Sequence, residues 1–122
     1  MVALDHRKIA FKMFDEAKEF LAKEDSVQAS EKLYKVAEET VKALAGEYAK
    51  DVVEEAEKEG RWKVGLLEKA VRKISRGLNP EVRHWWDTAY YLHVEGFHEA
   101  RLDIEGVKER LQEIENLIKL TL

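Results

Sequence analysis

The chain has 122 residues with six glycines, one proline and no cysteine, and its 21 basic and 25 acidic residues give a formal net charge of −4. This length predicts a single domain over residues 1–122, and the lack of cysteine excludes disulfides, thiolate metal sites and cysteine nucleophiles. Hydrophobic residues make up 45% of the chain, but no apolar run is long enough for a bilayer, so we predict neither a disordered protein nor a membrane span.

Two features of the sequence indicate the kind of organism and the cellular location. Glu and Lys are abundant while Asn, Gln and Cys are scarce, which is typical of thermophilic proteins, although Glu and Lys are also ordinary on exposed helices. The first 14 residues mix acidic and basic side chains and have no apolar core of the signal-peptide kind. We therefore expect a cytoplasmic protein without a signal peptide.

Periodicity predicts a helical hairpin at the start of the chain. Apolar residues recur every three or four positions from Asp5 to about Ala22, with Asp5 as the N-cap. Ser26 is predicted to cap a second helix, and the short connection makes the two helices antiparallel neighbours. Three small residues of this helix would let another helix approach closely: Ala29, Ser30 and Ala37.

The middle of the chain is predicted to contain one further helix. Residues 46–60 are rich in Glu and weakly periodic, so we interpret them as the fraying end of the second helix or as one or two exposed turns. A third helix is predicted after Gly60 and is expected to end at Asn79-Pro80, because the residue before proline avoids the helical conformation. Its apolar face consists of Leu67, Ala70, Val71, Ile74 and Leu78.

Two more helices complete the prediction. The fourth runs from Pro80 to near Leu102 and is rich in aromatic residues, and Asp103 is predicted to cap the fifth. The apolar residues of the fifth follow a bundle-like seam: Val107, Leu111, Ile114 and Ile118. Because no strand pattern occurs, we predict an all-α fold, an antiparallel bundle of about five helices.

Charge is distributed unevenly along the chain. Residues 15–60 carry a net charge of −7 and residues 61–84 carry +5. The third helix presents a basic stripe, defined as Lys69, Arg72, Lys73 and Arg76. This stripe, followed by two tryptophans, could hold the phosphates of RNA or a nucleotide while aromatic rings stack on bases. The alternative is a solvated face, favoured by the helix dipole or neutralised by the acidic segment.

The fourth helix contains the candidate catalytic and binding residues. On a helical wheel, His93 lies at the centre of a face with Trp86, Ala89 and Phe97. A histidine in this position is usually hydrogen-bonded in a core or interface, and the alternative is a general base or phosphate contact. The candidate catalytic residues are His93, His98 and Arg83. The candidate ligand or partner surface consists of Trp85, Trp86, Tyr90, Tyr91, His93 and His98.

The same helix argues against a metal site. On an unbroken α-helix, residues five apart such as His93 and His98 are separated by about 140°, so they cannot chelate one ion. Glu95 and His98 form a Glu-x-x-His motif, and Glu81 and His84 form another on the same predicted helix, whereas a di-iron bundle needs two such motifs on different helices. We expect no metal and no cofactor, and we retain Glu95 with His98 as a weak acid–base pair.

Two segments, residues 24–45 and 86–103, resemble the archaeal PaREP-type family of small helical proteins related to HEPN-like domains. The matching pieces are Asp25, residues 28–33, residues 41–44, residues 92–94 and residues 97–99. The resemblance implies a HEPN-like antiparallel bundle that often dimerises, and it implies no established activity.

The resemblance does not extend to the ribonuclease motif of many HEPN-like proteins, an Arg and a His with four to six residues between them on one helix. Nine residues separate Arg83 from His93, and seven separate Arg76 from His84 with Asn79-Pro80 between them. We therefore favour a non-enzymatic homodimeric module that binds a ligand, a nucleotide or RNA. The alternatives are an RNA-processing or nucleotide-acting enzyme using His93 and Arg83, and an antitoxin-like partner of another protein.

The predicted self-association has a direct test. Size-exclusion chromatography with light scattering at micromolar concentration should report twice the 14.2 kDa mass of the chain, or a higher multiple. A monomer across the whole concentration range would contradict the homodimer prediction.

Overall fold

The computed structural model describes residues 5–122, which form helices and connections without any strand. The α-helices and the single π-helix, named π1, are α1 (His6–Ala22), α2 (Ser26–Tyr48), α3 (Lys50–Glu59), α4 (Val64–Gly77), α5 (Glu81–Tyr91), π1 (Leu92–His98), α6 (Ile104–Lys108) and α7 (Leu111–Lys119). The all-α prediction is confirmed. No helix in this range is both long enough and apolar enough to cross a membrane.

Helix α2 is the centre of the bundle, because it packs against every other helix of the described chain. The predicted α1–α2 hairpin is present, with the Asp5 carboxylate accepting from the Lys8 amide at 3.1 Å. The N-cap of α2 is Asp25, whose carboxylate accepts from the Gln28 amide at 3.0 Å. The prediction of Ser26 as the cap was wrong by one position, since Asp is an equally good cap and already stands at the helix start.

Residues 46–60 form more structure than the prediction of a fraying end or exposed turns allowed. Helix α2 continues to Tyr48, and α3 is a separate helix of ten residues that buries Val52 and Ala56. Their spacing of four places both on one face, but the surrounding glutamates hide this short pattern. Gly60 ends α3 in the left-handed conformation at φ 76°, which glycine adopts without strain.

The last two predicted helices are both divided, so the prediction of two unbroken helices was wrong. The fourth changes from α5 to π1 at Leu92 and ends at His98, and Ala100 then adopts a left-handed φ of 51°. Asp103 caps α6 as predicted, accepting from the Gly106 amide at 2.8 Å, but a break separates α6 from α7. At the end of α4, Leu78 is 37% exposed and does not join the predicted apolar face.

The contact between π1 and α2 depends on one small residue from each side. Gly96 and Ser30 are buried against each other, and a Cβ added at Gly96 would lie 2.1 Å from Ser30 Oγ and 2.5 Å from Ser30 Cβ. The Ser30 hydroxyl donates to the Ser26 carbonyl at 2.7 Å, so its polar group is satisfied within α2. The predicted close approach therefore occurs at Ser30, with π1 as the approaching helix.

This contact predicts the effect of a single methyl group. Gly96→Ala should destabilise the protein by about 1–3 kcal/mol, because the added Cβ overlaps a buried and well-packed side chain. Guanidinium denaturation followed by circular dichroism measures the loss.

The matched control is Gly46→Ala in α2, where an added Cβ meets no atom within 4 Å. This variant should keep or slightly raise the stability, because alanine is the better helix former. If both variants unfold at the same guanidinium concentration, the proposed Gly96–Ser30 packing is wrong.

Candidate functional site

A carboxylate and two imidazoles form a chain of contacts on one side of the bundle. Glu31 Oε1 lies 3.0 Å from His93 Nδ1, and His93 Nε2 lies 3.1 Å from His98 Nε2. The side chains of Glu31 and His93 are about one-fifth exposed, whereas His98 is open to solvent. We call these three residues the histidine cluster; it has a half-buried inner part and an accessible outer part.

The π-helical backbone places His98 beside His93. Within π1 the hydrogen bonds join residues five apart, as in the bond from the Glu99 amide to the Val94 carbonyl at 2.8 Å. Residues five apart therefore stack on the same side of π1, while on an α-helix they would diverge by about 140°. The predicted separation of about 140° between His93 and His98 was wrong, because it assumed an α-helix throughout.

Aromatic rings hold the inner imidazole in position. The His93 ring stacks on Tyr34 with 4.0 Å between centroids and 24° between planes, and Tyr90 and Phe97 complete the surroundings at 5.8 and 6.3 Å. Burial, assisted by the nearby Glu38 carboxylate, raises the pKa of the Tyr34 phenol above its usual range. Tyr34 is therefore neutral at ordinary pH and acts as a flat support for His93.

The Glu31 contact determines which nitrogen of His93 can bind a partner. A carboxylate accepts only, so the neutral imidazole donates from Nδ1 and leaves its Nε2 lone pair facing His98. A carboxylate-oriented imidazole of this kind is used in proteins both as a general base and as a metal ligand.

Glu95 does not take part in the cluster. Both of its carboxylate oxygens accept from Arg101, at 2.7 and 2.9 Å, and this guanidinium lowers the pKa of Glu95. The predicted Glu95–His98 acid–base pair was wrong. The chain bends at Ala100 just after π1, which brings Arg101 back to Glu95.

Two of the predicted site residues lie away from the cluster. Trp86 is completely buried and donates its indole N–H to Glu68 at 3.0 Å, so it belongs to the core and not to a ligand surface. Arg83 lies ten residues before His93, about 15 Å along a helix, and faces Asp87 at 3.7 Å. The structure therefore does not bring Arg83 to the candidate catalytic histidines.

Of the other predicted surface residues, Tyr90 contacts the cluster. Tyr90 and Trp85 are half-buried, and Tyr90 contacts His93 as described. Tyr91 is 42% exposed, and the Arg110 guanidinium lies over its ring at 4.5 Å. His98 is exposed, and its ring lies 5.1 Å from that of Phe97 between centroids.

The basic stripe of α4 faces the acidic helix α3. Lys69 lies 3.5 Å from Glu55, and Lys73 lies 2.8 Å from Asp51 and lowers the pKa of that carboxyl. Both pairs are exposed, so each contributes little to stability but reduces the positive potential of the stripe. Arg72 and Arg76 are exposed on the same helix, and anion binding there stays a prediction.

A separate cleft of about 970 Å³ lies between the start of α1, α2, α3 and the end of the chain. It is lined in part by Trp62, Lys42 and His6, and none of the histidine cluster borders it. His6 pairs with Glu39, which also lies 3.5 Å from Lys42. We place the candidate site at the cluster because it joins a half-buried imidazole to one that is open to solvent.

Two important site residues were missed by sequence reasoning, Glu31 and Tyr34. Both lie on α2, three residues apart and therefore on adjoining positions of one face. The available signal was their position next to Ser30, the small residue predicted to receive another helix. Glu31 and Tyr34, one and four residues after Ser30, both meet the arriving helix in this structure through His93.

Comparisons with known proteins identify related chains. A profile of the archaeal PaREP1/PaREP8 family matches residues 5–118. The crystal structure of a Sulfolobus solfataricus protein is 40% identical in sequence, with a TM-score of 0.86 and 92% of each chain covered. A solution structure of the same structural-genomics target is 42% identical, with a TM-score of 0.80, covering 92% of this chain and 87% of the other. A comparison with curated proteins gave no match.

The contact between Glu31 and His93 predicts a specific tautomer. At a pH where the imidazoles are neutral, long-range ¹H–¹⁵N spectra should show His93 protonated at Nδ1 and unprotonated at Nε2. In Glu31→Ala this preference should disappear, while Glu54→Ala on the exposed side of α3 should leave the spectrum unchanged. An Nε2-protonated His93 in the wild-type protein would contradict this geometry.

Proposed function

The chain belongs to the archaeal PaREP1/PaREP8 family, and we propose that it is a binding module whose ligand contacts the histidine cluster. The observation that carries this proposal is the 3.1 Å approach of His93 Nε2 to His98 Nε2 at the protein surface. Because the two imidazole nitrogens are so close together, a single ligand can contact both of them.

The construction around the pair supports a binding role. Glu31 and Tyr34 hold His93 from two directions, so its ring is ordered before any ligand arrives. Such preorganisation reduces the entropy lost on binding. His98 is exposed and gives a ligand access to the pair from solvent, and the neighbouring Phe97 ring, 5.1 Å from His98 between centroids, offers apolar contact.

A second candidate is an acid–base enzyme, and the Glu31–His93 pair specifically favours it. A carboxylate bonded to Nδ1 is how many enzymes orient a catalytic histidine. The positions of the guanidinium groups favour binding over a reaction at the phosphate of RNA or a nucleotide, however. Arg83 is about 15 Å from His93 along the helix, and Arg101 is paired with Glu95. Neither guanidinium stands ready to stabilise charge developing beside His93.

Native mass spectrometry of the protein purified gently from its own host tests the proposal. The wild-type chain should carry an added mass that is lost in His93→Ala and His98→Ala, because both nitrogens contact the ligand. His84→Ala is the matched control, since His84 is an exposed histidine of α5 that also faces a glutamate, Glu113, at 3.3 Å. The control should retain the added mass.

Two outcomes would contradict the binding proposal. The first is wild-type protein without any bound mass, or with a mass that both histidine variants retain. The second is multiple-turnover cleavage of RNA that disappears in His93→Ala and persists in His84→Ala, which would establish the enzyme instead.

A further inference from the structure

We infer that His93 and His98 chelate one divalent transition-metal ion of the zinc type through their Nε2 atoms. This inference rests on the proposed function and names the chemical class of the ligand. Imidazole nitrogen is a preferred ligand of Zn²⁺, Ni²⁺ and Cu²⁺, while Mg²⁺ and Ca²⁺ prefer oxygen.

The distance between the two nitrogens fits a shared ion. Zinc binds histidine nitrogen at about 2.0–2.1 Å, so two ligands in a tetrahedral site lie about 3.3 Å apart. The observed Nε2–Nε2 separation is 3.1 Å. The observed separation of the two nitrogens differs from that in a tetrahedral site by a few tenths of an ångström. The exposed His98 can make this change by side-chain rotation.

The two rings meet edge to face with their Nε2 atoms adjacent. The imidazole planes stand at 81°, and their centroids are 4.4 Å apart. In the neutral metal-free pair His98 Nε2–H donates to the His93 Nε2 lone pair at 3.1 Å, and a bound ion would take the place of that proton.

Glu31 supplies the supporting contact that metal-binding histidines have in proteins. Ligating histidines almost always donate their other ring N–H to a carboxylate, a carbonyl or water, which fixes the tautomer and raises ligand basicity. Glu31 stands at this position on His93 Nδ1, at 3.0 Å. The same contact leaves Nε2 unprotonated, as a metal ligand must be.

The remaining coordination positions face solvent. Within residues 5–122 no third His, Asp or Glu joins the pair to make a three-ligand set. A site with two protein ligands keeps its other positions for water or for an anionic group of a further ligand. We therefore infer an open site that presents an ion at the surface, in contrast to a closed structural site with four protein ligands.

Titration of ZnCl₂ into the untagged full chain, followed by calorimetry, tests this inference. Wild-type protein should bind one equivalent. His98→Ala should weaken that binding at least about tenfold because one of the two ligands is lost, and Glu31→Ala should weaken it about 10–100-fold through the supporting contact. His84→Ala, which removes an exposed histidine with a glutamate neighbour but without a second histidine nearby, should bind as wild type.

Imidazole ¹⁵N spectra identify the ligating atoms independently. One equivalent of Zn²⁺ should shift Nε2 of both His93 and His98 and leave His84 unmoved. The inference is overturned if wild-type protein shows no stoichiometric binding, or if His98→Ala binds Zn²⁺ as tightly as wild type. A His98-dependent organic mass in the native spectrum together with no Zn²⁺ binding would overturn the metal inference alone and leave the proposed function standing.

Discussion

The close approach of π1 to α2 at Gly96 and Ser30 is the constraint on which the candidate site depends. Gly96 has no side chain to hold the two helices apart, and the Ser30 hydroxyl is already bonded within its own helix. The backbones can therefore come close enough for Glu31, next to Ser30, to reach His93 on π1. A larger residue on either side would push the carboxylate and the imidazole apart.

The second constraint is the change of helix type at Leu92. Helix α5 buries Val82, Trp86 and Ala89 on its inner face, and π1 continues this face with Leu92 and Gly96. The wider turn adds a residue to each repeat, which places His93 at the margin of the core and brings the exposed His98 beside it. π-Helical turns are rare and occur frequently at functional sites, where they bring together residues that an α-helix would separate. In this protein the residues brought together are two imidazoles.

Much of the fold could be predicted from the sequence because it depends on local signals. Asp5 as a cap, the α1–α2 hairpin and the small-residue contact at Ser30 follow from residue type and spacing, and the family resemblance read from residues 24–45 and 86–103 is confirmed. The predicted HEPN-like character stays a prediction. Helix α3 was missed because its buried face is only two residues wide, Val52 and Ala56, among many glutamates.

The candidate site could be predicted only in part, because its geometry depends on packing between distant segments. The sequence identified His93 and His98 as candidates but gave no sign of the π-helix that joins them, since periodicity analysis assumes one helix type throughout. Glu31 is 62 residues from His93 along the chain, and Arg101 reaches Glu95 only because of the bend at Ala100. Contacts of this range are set by tertiary structure, and a single sequence does not reveal them.

The central claim is that π1 places the His93 and His98 rings against each other. A nuclear Overhauser experiment on the imidazole ring protons of the wild-type protein tests this most directly. We predict a strong cross-peak between the two rings, because their Nε2 atoms are 3.1 Å apart and their centroids 4.4 Å apart. A spectrum in which both rings are assigned but show no mutual cross-peak would contradict the account, because an α-helix would place them about 140° apart.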